Sequence, residues 1–477
     1  MGRTLRVRNP RTGEHDYAFE AADATRVDAA CAQLRDAQRA WAVRDWTERL
    51  DVLVAWAEAI DRHQPALADA LSRDTGRWLL AVAETRGVRP TLERWRRYAS
   101  AVLVDSEGRS QAMPDVRFRH QQVPYPVVGV ISPWNFPLLL SLIDALPALI
   151  AGCTVAIKPS EVTPRFIEPL QAALDEVPEL AGAVALLPGD GETGAALVES
   201  VDLVCFTGSV ATGRKVGEAC ARAFIPAFLE LGGKDPAIVL PDADPRHAAE
   251  VLLRASVLAT GQACQSLERL YVPEAMHDTF VEHLVAAARR VTLSHPDIHH
   301  GILGPLIFER QAGIIAGQLD EARARGATVH CGGEIERLGG GLWIRPTVLT
   351  GVDHDMKIMR EETFGPVMPV MAYRDIDEAV ALANDSDFGL SAAVIGADVA
   401  AAEAVARRID AGAVSINDGA LTGQMFEAEK HSFKLSGLGG SRMGPAGITR
   451  FFRRKALLVQ HGTPVLIDAF DEGHAAG

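Results

Sequence analysis

Cysteine is scarce in this chain. Six thiols, Cys31, Cys153, Cys205, Cys220, Cys264 and Cys331, are spread over 477 residues with no CxxC pair. A chain of this size buries enough apolar surface to fold without cross-links, so the spacing argues against a disulfide scaffold and for a reducing cytoplasm. Metal-binding patterns are missing too. The 14 histidines form no HExxH or similar spacing, and His299-His300 is an isolated pair expected in a solvated loop, so no metal is expected. Basic residues are outnumbered, 48 Lys and Arg against 62 Asp and Glu, for a net charge of −14. Nucleic-acid-binding surfaces are ordinarily basic, so nucleic acid is not an expected partner. The longest apolar stretch, residues 136–153, is broken by Asp144 and Pro147 and falls short of the roughly 20 residues a membrane span needs. It reads as a buried helix, and no membrane partner is expected. The basic opening Arg3–Arg8 is not followed by the apolar segment of a signal peptide.

What remains is the composition of a soluble globular protein, 48% hydrophobic and 23% charged, long enough for two or more domains. In the first hundred residues Val27, Ala30, Cys31, Leu34, Ala37 and Trp41 recur at steps of three and four, the period of an amphipathic helix, and Leu50, Leu53, Ala57 and Ile60 continue it. This region is expected to be helical. From about residue 125 the pattern changes. Short apolar runs at Val127–Ile131, Thr154–Ile157, Ala183–Leu187, Leu203–Phe206 and Ala227–Leu231 alternate with helical stretches such as Leu138–Ile150 and Gly213–Arg222. Such alternation predicts a parallel sheet covered on both faces, with ligands at the carboxyl ends of its strands. A second α/β pattern follows from about 245 to 430, with helices at Pro245–Leu258 and His277–Val291 and strands at Val367–Tyr373 and Ala413–Asn417. Residues 105–124 and 457–467 look like strands without a partner in either sheet.

Several motifs fall at predicted strand ends. Gly189–Gly194 reads GxGxxG between a strand and a helix, a dinucleotide fingerprint that lacks its acidic residue about 20 positions on. A plain strand-to-helix turn is the alternative. Phe206-Thr207-Gly208-Ser209 is the better phosphate cradle, since a strand ends, glycine admits close approach and a helix begins. Ser209 either caps that helix or meets a ligand. Lys158-Pro159-Ser160-Glu161 ends another strand. Beside a nucleotide, a carboxylate at Glu161 accepts from a ribose diol and repels a 2′-phosphate, which favours NAD over NADP. Cys31, Cys153, Cys205 and Cys220 sit in apolar segments and read as inert core. Cys264 differs: Gly261-Gln262-Ala263 leaves it uncrowded, and Gln265-Ser266 makes its flank polar. Glu230 precedes Leu231-Gly232-Gly233-Lys234 at a strand end, and Asn135 lies in Pro133-Trp134-Asn135-Phe136-Pro137.

In order and spacing these segments resemble the aldehyde dehydrogenase superfamily. The match runs from Asn9-Pro10-Arg11-Thr12-Gly13-Glu14 through the motifs above to Glu361-Glu362-Thr363-Phe364-Gly365-Pro366 and Ser436-Gly437-Leu438-Gly439. The resemblance implies an α/β fold with a Rossmann-like cofactor domain (residues 1–105 and 125–232) and a second α/β catalytic domain (233–435) carrying Cys264. It also implies a β-strand oligomerisation arm (106–124 and 454–477) that makes a homodimer or homotetramer. Cys264 matches the nucleophile, Glu230 the base that activates water, and Asn135 the amide that holds the oxyanion with the Cys264 N–H. Ile131, Ser132, Pro133 and Trp134 match the wall beside the cofactor, and Lys158, Ser160 and Glu161 the adenosine-ribose contacts. Gly191, Phe206, Gly208 and Ser209 match positions near adenine and pyrophosphate. Leu231, Glu362 and Phe364 match the surroundings of the nicotinamide and its ribose.

The implied reaction is oxidation of an aldehyde to a carboxylic acid with NAD through a cysteine thiohemiacetal and a thioester. A carboxylate at 230 favours hydrolysis over a second reading, transfer of the acyl group to CoA. A catalytically silent homologue is the third reading, disfavoured by the intact Cys264, Glu230 and Asn135. One stretch departs from the family, which usually has Pro-Phe-Gly-Gly before x-Lys-x-Ser-Gly. This chain has Glu429-Lys430-His431-Ser432 there, in a loop that in the family approaches the substrate entrance. Leu139 and Ile143 share a helix face; by resemblance that helix borders an apolar substrate tunnel with Phe426 and His431 at its mouth, and plain core packing is the alternative.

Overall fold

Largely apolar, the runs between residues 127 and 230 become strands because most of their side chains are covered on both faces. In the computed structural model, which describes residues 3–473, they form a six-stranded sheet. Its order is Gly437–Leu438, Ala227–Glu230, Leu203–Thr207, Val127–Ile131, Thr154–Lys158 and Val184–Leu186. All its pairings are parallel except that of Gly437–Leu438 with Ala227–Glu230. The helix Pro137–Ala151 packs on one face as expected and accommodates Pro147. Trp56, Trp95, Leu149, Ile157 and Cys205 meet in the core there, and Cys31, Cys153, Cys205 and Cys220 are all buried.

The second sheet has seven strands, Thr328–Cys331, Thr347–Thr350, Val367–Tyr373, Leu267–Pro273, Asp235–Val239, Ser391–Ile395 and Ala413–Ile416 in that order. The five without a sequence counterpart include the central pair. Asp235–Val239 contains Pro236, and Leu267–Pro273 contains Glu268 and Arg269, residues that a buried strand seldom holds. Here the charges are answered. Glu268 pairs with Lys234 at 2.7 Å, and the Arg269 guanidinium donates to the carbonyls of Lys234 at 2.8 Å and Ala383 at 2.8 Å.

One other expectation is corrected, and one is borne out with shifted bounds. The amino-terminal region is not helical from its start, because Thr4–Arg8 and His15–Glu20 form an antiparallel hairpin before the first helix. The strands without a partner in either sheet pair with each other. Val116–Pro124 lies between Ser106–Arg109 and Phe452–Gln460 in a three-stranded antiparallel sheet. Leu458 on it is 72% exposed, and Val465, Leu466, Ile467 and Phe470 beyond it are exposed as well. No helix among the described residues is long and apolar enough to cross a membrane.

The architecture brings two sets of strand ends together. Just beyond the carboxyl ends of the first sheet, Asn135 reaches Gln262 beside Cys264, Trp134 meets Phe364, and Gly233 donates to Glu362.

Candidate active site

Cys264 owes its position to an unusual turn. Ala259, Thr260 and Gly261 all have left-handed backbone, with φ of 57°, 62° and 66°. Two of these are non-glycine residues, a conformation costing about 1–2 kcal/mol each. The neighbouring side chains hold it. Thr260 donates to the Gly304 carbonyl at 3.0 Å. The buried Gln262 amide donates to Pro305 O at 3.1 Å and accepts from Ile307 N–H at 2.9 Å. Gly261 tolerates no side chain, since a Cβ there would lie 2.3 Å from the carbonyl carbon and oxygen of Gly365.

Asn135 is anchored to the same turn. Its amide donates to the Gln262 carbonyl at 3.1 Å, two residues before Cys264, and the residue is 4% exposed. A carboxamide nitrogen carries two hydrogens, so one remains available. The backbone around Asn135 is fixed from behind. Arg77 donates to the Asn135 carbonyl and also to Ala259 O. Glu84 accepts from the Leu138 and Leu139 N–H groups at 3.0 Å each, capping the helix that follows. Burial lowers the Arg77 guanidinium to about 10 and raises the Glu84 carboxyl to about 7.

Glu230 ends its strand partly buried. Its carboxylate accepts from the Ser432 hydroxyl at 3.1 Å and lies 3.7 Å from Arg442 Nε. Arg442 in turn donates to Asp144 at 2.9 Å and Thr207 Oγ1 at 2.7 Å, and Arg450 also donates to Asp144. Burial alone would lower the Arg442 guanidinium, but Asp144 and Glu230 hold it above its ordinary value.

The Cys264 thiol is pushed up to about 12. Burial is the main cause, Asp235 and Glu362 add to it, and Lys430 and Arg442 oppose it. Glu362 itself is raised to about 8, chiefly by burial and then by Glu268, and Asp235 to about 7 by burial. Glu362 accepts from Gly233 N–H at 3.1 Å. Gly232 makes that approach possible, since a Cβ on it would come within 2.5 Å of both carboxylate oxygens. Behind them, Glu268 accepts from the Thr363 and Phe364 N–H groups at 2.8 Å each.

The residues matched to a dinucleotide lie at strand ends and helix starts. Ile131 and Ser132 are buried at a strand end, and Trp134 stacks edge-on against Phe364 with ring centres 5.3 Å apart. Phe206 and Leu231 are buried beside the cradle. Gly208 precedes the helix Val210–Ala223, which Ser209 caps through Thr212 N–H at 3.4 Å. Gly191, in GxGxxG, opens the helix Gly191–Ser200, whose cap is Asp190, and a Cβ on it would meet nothing within 4 Å. Ser160 is buried and turns its hydroxyl to Val162 N–H. Lys158 is buried too, donating to the carbonyls of Pro159 and Gly189 at 2.7 Å each, with Glu161 3.8 Å away and largely in solvent. An open helix start, a glycine beside it, an exposed carboxylate and an aromatic pair suit a phosphate, a ribose and a planar ring.

Sequence reasoning missed Lys430, Ser432 and Arg442 as members of this site. The only signal was the departure at 429–432, which reads as a loop difference until the fold brings Ser432 to Glu230. His431, expected at the tunnel mouth, is exposed and within 3.2 Å of the Gly439 carbonyl. Phe426 lies under the Arg94 guanidinium at 4.4 Å. Leu139 is partly exposed and Ile143 is buried. Among the described residues no cluster of His, Cys, Asp and Glu could hold a metal ion.

The sequence profile described as the aldehyde dehydrogenase family matches residues 1–457. A protein of Mycolicibacterium smegmatis, provisionally named a succinate-semialdehyde dehydrogenase (NADP(+)), is 36% identical over 445 residues, 92% of this chain and 86% of that one. The 3,6-anhydro-alpha-L-galactose dehydrogenase of Streptomyces coelicolor is 36% identical over 471 residues, 96% and 93% of the two chains. Among solved structures, PutA of Anabaena variabilis, provisionally described as an aldehyde dehydrogenase, superposes with a TM-score of 0.95 at 49% identity over 98% of this chain and 99% of that one. A Mycobacterium tuberculosis aldehyde dehydrogenase complexed with NAD+ gives 0.88 at 31% identity over 97% and 96%.

Proposed function

The chain belongs to the aldehyde dehydrogenase family, and from that premise we propose that it oxidises an aldehyde to the free acid with NAD, using Cys264, Asn135 and Glu230. The observation that carries this reading is the anchoring of the Asn135 amide on the Gln262 carbonyl at 3.1 Å, in the same turn as the thiol. The Cys264 thiolate adds to the carbonyl carbon and leaves the oxygen as an alkoxide. The free hydrogen of the Asn135 amide and the Cys264 N–H hold that oxyanion, and one such donor is worth roughly 2.7–4 kcal/mol in a dry site. NAD, held by Trp134, Lys158, Glu161, Gly208, Ser209, Glu362 and Phe364, would supply the acceptor for the departing hydride. A thioester then remains on Cys264. Glu230 takes a proton from water, the hydroxide attacks the thioester, and the acid leaves with restoration of the thiol.

Two finer assignments belong to the same reading. Glu161 favours NAD, because an exposed carboxylate beside a ribose repels a 2′-phosphate. The three-stranded sheet with its exposed Leu458 is a subunit contact giving a dimer or a dimer of dimers, since an apolar sheet edge is a hazard when left open. A reducing cytoplasm suits a chain whose chemistry needs a free thiol.

The test follows NAD(P)H absorbance over aliphatic, aromatic and carboxylated aldehydes with both cofactors. Turnover with NAD and release of free acid are expected. Activity with NADP alone refutes the role of Glu161, and acyl-CoA formed at the expense of acid when CoA is added refutes hydrolysis by Glu230.

A further inference from the structure

The geometry points to Lys430 as the counter-charge of the Cys264 thiolate. This inference rests on the proposed role of Cys264 and adds a residue to it. Lys430 stands in the stretch where the chain departs from its family, Glu429-Lys430-His431-Ser432, and the fold turns that stretch inward at two points. Ser432 donates to Glu230 at 3.1 Å. The Lys430 ammonium donates to the Thr422 carbonyl at 2.8 Å, and its own N–H donates to Ser441 Oγ at 3.1 Å. Thr422 and Gly423 in turn abut the Cys264 turn, for a Cβ on Gly423 would lie 2.9 Å from Gln265 Oε1. Lys430 is thereby tied to the segment that abuts the nucleophile's turn, two residues before the Ser432 that binds Glu230.

An ammonium has three donors, and one acceptor is present here, an uncharged carbonyl. Among the described residues no carboxylate lies within 4.0 Å of Lys430, whereas Arg442, the other cation acting on the sulfur, is paired with Asp144 at 2.9 Å and has Glu230 at 3.7 Å. Lys430 is therefore the cation left uncommitted. The groups acting on it are Cys264, Glu230 and Asp235, which favour its charge, and Arg442, which opposes it, while burial lowers it overall. The groups acting on Cys264 are Asp235 and Glu362, which hold the thiol up, and Lys430 and Arg442, which bring it down. A half-buried thiol among acid groups needs a nearby positive charge to ionise. A thiolate in turn stabilises an ammonium that would otherwise be costly to bury.

The experiment measures the rate at which iodoacetamide alkylates Cys264 in the full-length protein without cofactor, across pH, by intact mass, with Cys264→Ala as background. Lys430→Gln keeps a donor for the Thr422 carbonyl and removes the charge. Its alkylation at neutral pH is expected to slow about tenfold or more, with the inflection moved to higher pH, since one unit is a factor of ten. Lys430→Arg is expected to restore most of the rate. An unchanged rate and inflection in Lys430→Gln overturn the inference and leave the role of Cys264 standing. So does a loss of kcat/KM confined to carboxylated aldehydes with alkylation unaltered, which would make Lys430 a substrate-binding group. Undiminished aldehyde oxidation by Cys264→Ala overturns the proposed function itself.

Discussion

At the scale of single residues, the site divides into groups that act on the substrate and groups that hold them. Asn135→Ala removes the proposed oxyanion donor while leaving Cys264 in place, so kcat is expected to fall by about 10²–10³ in steady-state assays. The two glycines nearest the chemistry are there for space. Gly261→Ala combines a left-handed backbone with a Cβ 2.3 Å from the Gly365 carbonyl. A loss of at least about 1–2 kcal/mol is expected on denaturant unfolding, together with loss of rapid alkylation at Cys264 as the turn moves. Cys264 and Glu230 were legible as candidates because small or polar neighbours mark them, and Asn135 because Pro133–Pro137 resembles the family's motif. Arg442 and Lys430 were not, since a basic residue in a loop ordinarily meets solvent; Arg442 is turned inward by partners far away in sequence, and Lys430 by the folding of its own loop against Thr422 and Ser441.

At the scale of elements, the helix Pro137–Ala151 carries the Asn135 amide at its approach, and Glu84 sets its start by accepting two of its free N–H groups. Glu84→Ala is expected to cost about 1–2 kcal/mol, the usual worth of such a cap, and to lower activity by loosening Asn135. The pH dependence has a definite sign. Burial raises the Glu84 carboxyl from 4.5 to about 7, so in that window the folded chain keeps a proton that the unfolded chain has lost. This contribution to stability is largest at the acid end and is lost as pH rises through the window. The melting-temperature difference between the native chain and Glu84→Gln should accordingly shrink or reverse between about pH 5 and about pH 7. A difference that grows with pH contradicts the assignment. The first sheet was legible as uniformly apolar runs. The central strands of the second were hidden by Asp235, Pro236, Glu268 and Arg269, whose burial depends on partners far away in sequence.

At the scale of the whole molecule, the site exists because two sheets meet end to end, a juxtaposition that no local pattern encodes. The carboxyl end of Ala227–Glu230 supplies Glu230, and the approach to Leu267–Pro273 supplies Cys264. The third sheet stands apart with its apolar surface exposed. Leu458→Lys is expected to shift the protein to a smaller species in light scattering while leaving its circular dichroism unchanged, and an unaltered mass contradicts the subunit-contact assignment. The central claim is that the acyl group rests on Cys264 until Glu230 releases it. Glu230→Gln should therefore make one rapid equivalent of NADH when mixed with aldehyde and NAD, then stall. Intact mass followed by peptide mapping of the stalled protein tests this directly. One acyl group on Cys264 is the predicted result, and a stalled protein with no adduct, or with the adduct on another residue, contradicts the mechanism.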